Sequence, residues 1–478
     1  MMAAHILNAP PGIEQFGYKQ ELSRSLRFRD LVIYGLIFMV VIAPFGIFGG
    51  VFQASGGMVA LAYLIGMVAM MFTASSYAVM VQAYPTAGST YTYAGRAIAP
   101  SVGFLTGWTI LLDYVLIPAL LGLIAAGSMA SVVPAVPVWG WIVVFVAVNT
   151  GLNLLGIKVT KQAMRVFLIG ELAVLAIYLV VGIAALAAGA GRGFSWVPFF
   201  NANTFSLSVA AGAVSVAALS YLGFDAISML AEETRGGGEQ VGRAMYAVLG
   251  LTGLLFIAQT FVAALLVDDP GRLIAEGDAA GTAFYDTARI AGGPWVATLT
   301  AVATALAWGI ANNMVAQLAT SRLLYAMGRD RQLPGELARV TRSRSVPANA
   351  VLLTAVISLV VGLYMASRAD GIRLLVSLVN FGAMASFTVL HIAVIWRWLT
   401  NGRDGSSMRN LVVPLVGAAI LLMVIVHANI AAQQVGIAWI VAGLLVLLVL
   451  HLTGRRPRLS GLDDTSAAHV PAWAGRHV

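Results

Sequence analysis

Three carboxylates, Asp113, Glu171 and Asp225, stand inside long apolar runs of this 478-residue chain. Two more, Glu232 and Glu233, close the run that holds Asp225. No Lys lies deep in any such run, and Arg occurs only near the ends. Ionisable groups withdrawn from water are costly, so each is read first as functional. Two chemistries suit them. A carboxyl in an apolar setting holds its proton more firmly and can carry one. An ionised carboxylate can instead receive a cation. The bland alternatives are a cap on exposed backbone donors for Asp225, an interhelical hydrogen bond for Asp113, and pairing with loop cations for Glu171. Tyr114 follows Asp113 and offers a ring that can lie against an amine or an alkyl chain. Successive helical residues point about 100° apart, so the two need not share a cavity. Asn312 and Asn313 either line a coupling site or bridge helices, as buried amides often do. Glu232, near Arg235, reads as a solvated cluster or an inner gate. His391, His427 and His451 are scattered and suggest packing.

The elements that must hold these groups are set by composition. Hydrophobic residues make up 60% of the chain and charged residues only 10%, against about 25% charged in soluble domains. A lipid-facing bundle tolerates such a surface; a soluble fold of this length does not. Cysteine is absent, which excludes disulfides, thiol nucleophiles and thiolate metal sites. The net charge of +8 reads as membrane orientation rather than nucleic-acid binding. Residues 1–29 are polar and lack the apolar core of a secretory signal.

A bilayer core about 30 Å thick needs roughly 20 apolar residues in a helix. Twelve stretches qualify: 31–53, 57–82, 101–127, 138–156, 165–189, 207–232, 243–267, 293–321, 347–367, 371–397, 411–430 and 436–453. The expected class is an all-α membrane protein, with tails at 1–30 and 454–478 flanking a transmembrane domain over 31–453. With the N-terminus inside, 23 of the 28 Lys and Arg residues fall in cytoplasmic segments and 5 outside. That asymmetry predicts an even number of spans and two cytoplasmic termini.

The first span is interrupted at Val41 to Gly50 by Pro44, Gly46, Gly49 and Gly50. The sixth has a matching weak point at Ser220 to Asp225, around Gly223. Unwound backbone at membrane depth must face protein or a wet cavity. Breaks five spans apart suggest two inverted five-helix repeats, about 31–189 and 207–397, followed by extra helices over about 411–453. Discontinuous helices in matching positions mark a transporter's binding site. Candidate substrate-binding residues are therefore Pro44, Phe45, Gly46, Ile47, Asp113, Tyr114, Tyr221, Gly223, Phe224 and Asp225. Glu171, Glu232, Asn312 and Asn313 are candidates for coupling or gating. Tyr221 and Phe224 are also candidates for an aromatic gate.

Four motifs in order resemble the amino acid–polyamine–organocation superfamily over nearly the whole chain. They are Pro44 to Gly50, Pro85 to Arg96, Gly223 to Ser228 with Glu232 to Thr234, and Ser321 to Pro334. The resemblance implies five plus five inverted helices with two additional ones, and secondary transport of amino acids or amines. Some exchangers of that family carry an acid at the position of Asp225. Many proton-coupled members place a Lys near the position of Glu171, and this chain departs from that pattern. Leu-Leu-Asp-Tyr at 111–114 and Gly-Phe-Asp-Ala-Ile-Ser at 223–228 resemble the bacterial putrescine importer branch.

The expected activity is proton-coupled import of a small amine, putrescine first. The alternatives are a permease for neutral or cationic amino acids, or an exchanger. A diamine has two ammonium groups and no carboxylate, which suits Asp225 with Asp113 or Glu171. An amino acid needs free N–H groups at a helix break for its carboxylate, and Phe45 would crowd that position. Rows of pore charge, a sensing module, clustered nucleophiles and a phosphate-binding Gly-Lys motif are all missing from the sequence. The chain is therefore expected not to be a channel, receptor, enzyme or ATP-driven pump. Expected partners are the small substrate and membrane lipid, with no nucleic acid and no cofactor beyond a coupling H+. The expected location is a bacterial inner membrane, as a monomer or homodimer.

Overall fold

The computed structural model describes residues 24–86, 89–155, 161–329, 332–341, 346–454 and 457. Ala87, Gly88, Asp330 and Arg331 of the sequence motifs, and most of both tails, lie outside the described residues. Among the described residues the only β feature is one bridge, Leu26 to Thr234; everything else regular is helical. Eleven helices are long and apolar enough to cross a membrane, and a bent pair supplies a twelfth span. The expected twelve stretches thus correspond to spans, with ends that differ by a few residues.

The bent pair is α1 (Phe28–Met39) and α2 (Pro44–Ala54), which meet at 59°. The unwound segment is residues 40–43, one step earlier than the proline and glycines suggest. Val40 takes a positive φ of 52°, which is unusual for a β-branched residue. Pro44 sits in the first turn of α2, where its fixed φ and missing N–H suit a helix start. The glycines that follow remain helical because the break has already been made.

The chain continues through α3 (Val59–Ala83), a short α4 (Ser89–Ala97), α5 (Pro100–Val132), α6 (Val138–Leu155) and α7 (Lys161–Ala187). The sixth span begins as α8 (Leu207–Ala217), tightens to a 3₁₀ turn over Ala218–Tyr221, breaks, and resumes as 3₁₀ helix over Phe224–Glu233. Ten residues of 3₁₀ helix are unusual. Then come α9 (Gly237–Leu266) and a loop that holds two helices, α10 (Pro270–Glu276) and α11 (Ala283–Gly292). The eighth span is α12 (Pro294–Leu306), a π turn over Ala307–Asn312, and α13 (Asn313–Arg329). The last four spans are α14 (Ala348–Ala366), α15 (Gly371–Thr400), α16 (Val413–Val426) and α17 (Ile430–Leu452).

Burial sorts these spans. The windows of α3, α5 and α15 are 67%, 72% and 78% buried, whereas that of α17 is 11% buried. The more buried spans make the core of the bundle, and α17 faces outward with its apolar side chains. Trp108 and Trp439 tie α17 to α5: they stack at 4.8 Å, and each indole N–H donates to the other's carbonyl, at 2.8 and 2.7 Å.

Candidate functional site

The breaks of the first and sixth spans meet. Gly223 has φ 105°, and a Cβ there would lie 2.9 Å from the Phe38 ring and 3.0 Å from the Phe38 carbonyl oxygen. Only glycine satisfies both the conformation and the approach. Around this crossing is a cavity. The walls come from the first break, from α5, from the sixth break and from the eighth span.

Asp113, Tyr114, Gly223, Asp225 and Asn312 all line it. Asp113 and Asp225 are buried, and no Lys or Arg is among the lining residues. Oδ1 of Asp113 makes no hydrogen bond among the described residues. Oδ1 of Asp225 accepts from the Gly223 N–H at 3.2 Å, so this carboxylate caps the helix restart while it faces the cavity. No ion pair among the described residues involves Asp113, Glu171 or Asp225.

Glu171, on α7, does not line the cavity but holds the first break from behind. Its Oε2 accepts the Val41 N–H at 2.9 Å. Gln259, on α9, donates to the Val41 carbonyl at 3.1 Å. The unwound peptide is thus gripped on both polar groups by side chains of two other spans. Of the donors that follow, all but the Ile42 N–H are also spent. Ala43, Phe45 and Gly46 donate to the Val40, Ile42 and Ala43 carbonyls, and Pro44 has no N–H.

Pro44, Phe45, Gly46 and Ile47 are buried and do not line the cavity. Phe45 stacks on Phe284 of α11 at 3.9 Å, with Tyr178 5.7 Å away, and Phe48 meets Phe284 edge-on. These rings pack α2 against α11 and α7. Above them a Cβ on Gly49 would run into the Asp278 side chain. Asp278 caps α11 by accepting from Thr282 at 2.9 Å and Ala283 at 3.1 Å. Burial pushes its carboxyl above the usual carboxylate range, against those two donors.

Tyr221 and Phe224 also stand outside the lining. The Tyr221 hydroxyl donates to the Tyr63 carbonyl at 2.6 Å, and Phe224 packs edge-on against Tyr77. They fasten the sixth break to α3. Glu232 sits partly buried at the far end of the 3₁₀ segment, where Leu26 pairs with Glu233 and Arg235 through two 3.0 Å backbone bonds. Asn313 bridges helices, donating to the Pro118 carbonyl at 3.1 Å. His391 is held by Ser76 at 2.7 Å.

Sequence reasoning missed Trp308, Phe38, Met39 and Val40 among the lining residues. It also missed Asn149, whose amide donates to the Gly309 carbonyl inside the π turn at 2.7 Å. That turn places Trp308 and Asn312 on the cavity wall. The amide pair Asn149 and Asn153, four residues apart in an apolar span, was the available signal. Among the described residues no group of three or more His, Asp or Glu could hold a metal ion.

This arrangement is a secondary transporter's: crossed helix breaks around a buried, half-closed cavity. Residues 35–453 match the amino acid permease family, and the chain belongs to it. It is similar to the low-affinity putrescine importer PlaP of Escherichia coli strain K12, 30% identical over 91% of this chain and 96% of that one. It is also similar to the methylthioribose transporter of Bacillus subtilis strain 168, 28% identical over 89% and 93%. The branched-chain amino acid permease BcaP of the same strain is 25% identical over 79% and 81%. The chain is a membrane transporter and not an enzyme.

Proposed function

We propose that this chain imports a small organic amine, putrescine first, and that proton entry drives the import. The observation that carries this reading is the placement of Asp113 and Asp225 on one cavity with no basic lining residue. Two carboxylates match the two ammonium groups of a diamine. An α-amino acid would also need donors for its carboxylate, and the first break spends all of its own but the Ile42 N–H on Glu171 and on neighbouring carbonyls. The similarity to a putrescine importer supports the same choice.

In this reading Tyr114, Gly223 and Asn312 shape the amine site. Pro44, Phe45, Gly46, Ile47, Tyr221 and Phe224 close it without touching the amine. Glu171 carries the coupling proton, Asn313 steadies the eighth span, and Glu232 serves the inner mouth. The protein works in a bacterial inner membrane with both termini cytoplasmic, as a monomer or homodimer. A second reading, import of a branched-chain amino acid, is favoured by the similarity to BcaP.

Uptake of labelled putrescine into proteoliposomes, with and without an inward proton gradient, tests the proposal. Saturable, gradient-stimulated uptake is expected, reduced roughly tenfold or more in Asp113→Asn and Asp225→Asn through loss of a charge-assisted bond. Leucine uptake with none of putrescine would overturn the substrate.

A further inference from the structure

Pro118 lies inside α5. A proline has no N–H and displaces the carbonyl four residues earlier, which loses its helical partner. That carbonyl belongs to Tyr114, the residue after Asp113. The donor it lacks comes from another span. Oγ1 of Thr320, on α13, lies 2.6 Å from the Tyr114 carbonyl oxygen and 2.8 Å from the Ala316 carbonyl of its own helix. Thr320 is fully buried. Asn313, two turns earlier on α13, donates to the Pro118 carbonyl at 3.1 Å. The helix α13 thus holds both ends of the turn from Tyr114 to Pro118, and Ala316 and Ala319 between these contacts line the cavity.

We propose that Thr320 is a positioning residue. It fixes where Asp113 and Tyr114 stand relative to Asp225, and so sets the length of amine the cavity accepts; this rests on the diamine reading above. Tyr114 is the link. Its carbonyl is held by Thr320, its side chain lines the same cavity as Asp225, and its neighbour is the second acid. Without the Thr320 hydroxyl, the Tyr114 carbonyl has neither a helical nor a side-chain donor. That turn of α5 is then free to shift, and the spacing of the two carboxylates is no longer imposed. A diamine that spans both acids reads that spacing through its chain length.

The test compares the wild type, Thr320→Ser, Thr320→Val and the double variant Pro118→Ala/Thr320→Val in proteoliposome uptake, across a series of diamines of increasing length. Thr320→Val is expected to raise KM for the preferred diamine about fivefold, the worth of one ordinary hydrogen bond, with maximal rate little changed and chain-length preference flattened. Thr320→Ser keeps the hydroxyl and is expected to behave as the wild type. The double variant restores a backbone N–H at residue 118, so the Tyr114 carbonyl no longer depends on Thr320. It is expected to regain the preference. Unchanged KM and preference in Thr320→Val, or equal damage in Thr320→Ser, overturns the inference. If the wild type takes up no diamine, the diamine reading falls and takes the chain-length claim with it. The positioning is then judged by thermal midpoints. Thr320→Val lowers the midpoint when Pro118 is present and not in the Pro118→Ala background; equal lowering in both overturns it.

Discussion

Gly223 takes a positive φ and leaves no room for a Cβ beside Phe38. Gly223→Ala forces an alanine into a conformation that costs about 1–3 kcal/mol and pushes the two breaks apart. Thermal unfolding in detergent is expected to show a clear drop in midpoint, with loss of uptake; an unchanged midpoint would mean that the crossing is looser than described. Residues that break a local rule were legible in the sequence. Asp113, Asp225 and Gly223 stand out because an acid or a flexible residue inside an apolar run demands a reason. Trp308, Thr320, Gln259 and Asn149 did not stand out. A hydroxyl, amide or indole inside a span is ordinary, and only its partner across the bundle gives it a role.

At the scale of elements, proline and glycine announced both broken spans but placed the first break too late. A proline can begin a helix as well as interrupt one. Here Pro44 begins α2, and the chain unwinds at Val40 to Ala43, where nothing in composition marks it. The α10–α11 loop lies between two expected spans, and its helices pack against α2 through Phe284 and Asp278. Burial raises the Asp278 carboxyl above its ordinary value, so the folded protein binds this proton more tightly than the unfolded chain. Stability from this group therefore falls as pH rises through the ordinary carboxylate range and beyond. Asp278→Asn removes the titration. Thermal midpoints measured from mildly acidic to neutral pH are expected to fall less steeply in that variant; a steeper fall would reverse the assigned sign.

For the molecule as a whole, the architecture was legible because the bilayer imposes a length on every crossing segment, and apolar runs of that length are hard to mistake. The substrate was harder to read, since it depends on which side chains from distant spans share one cavity. Asp113 and Asp225 lie 112 positions apart in the chain and meet only because the sixth break crosses the first beside α5. The central claim is that this pair receives a diamine. Equilibrium binding of labelled putrescine to the purified protein, competed by unlabelled diamines and by leucine, tests it most directly. The account predicts saturable binding displaced by diamines, insensitive to leucine, and weakened roughly tenfold or more in Asp113→Asn and in Asp225→Asn. Putrescine binding that survives both substitutions, or a site that leucine fills and putrescine does not, would contradict it.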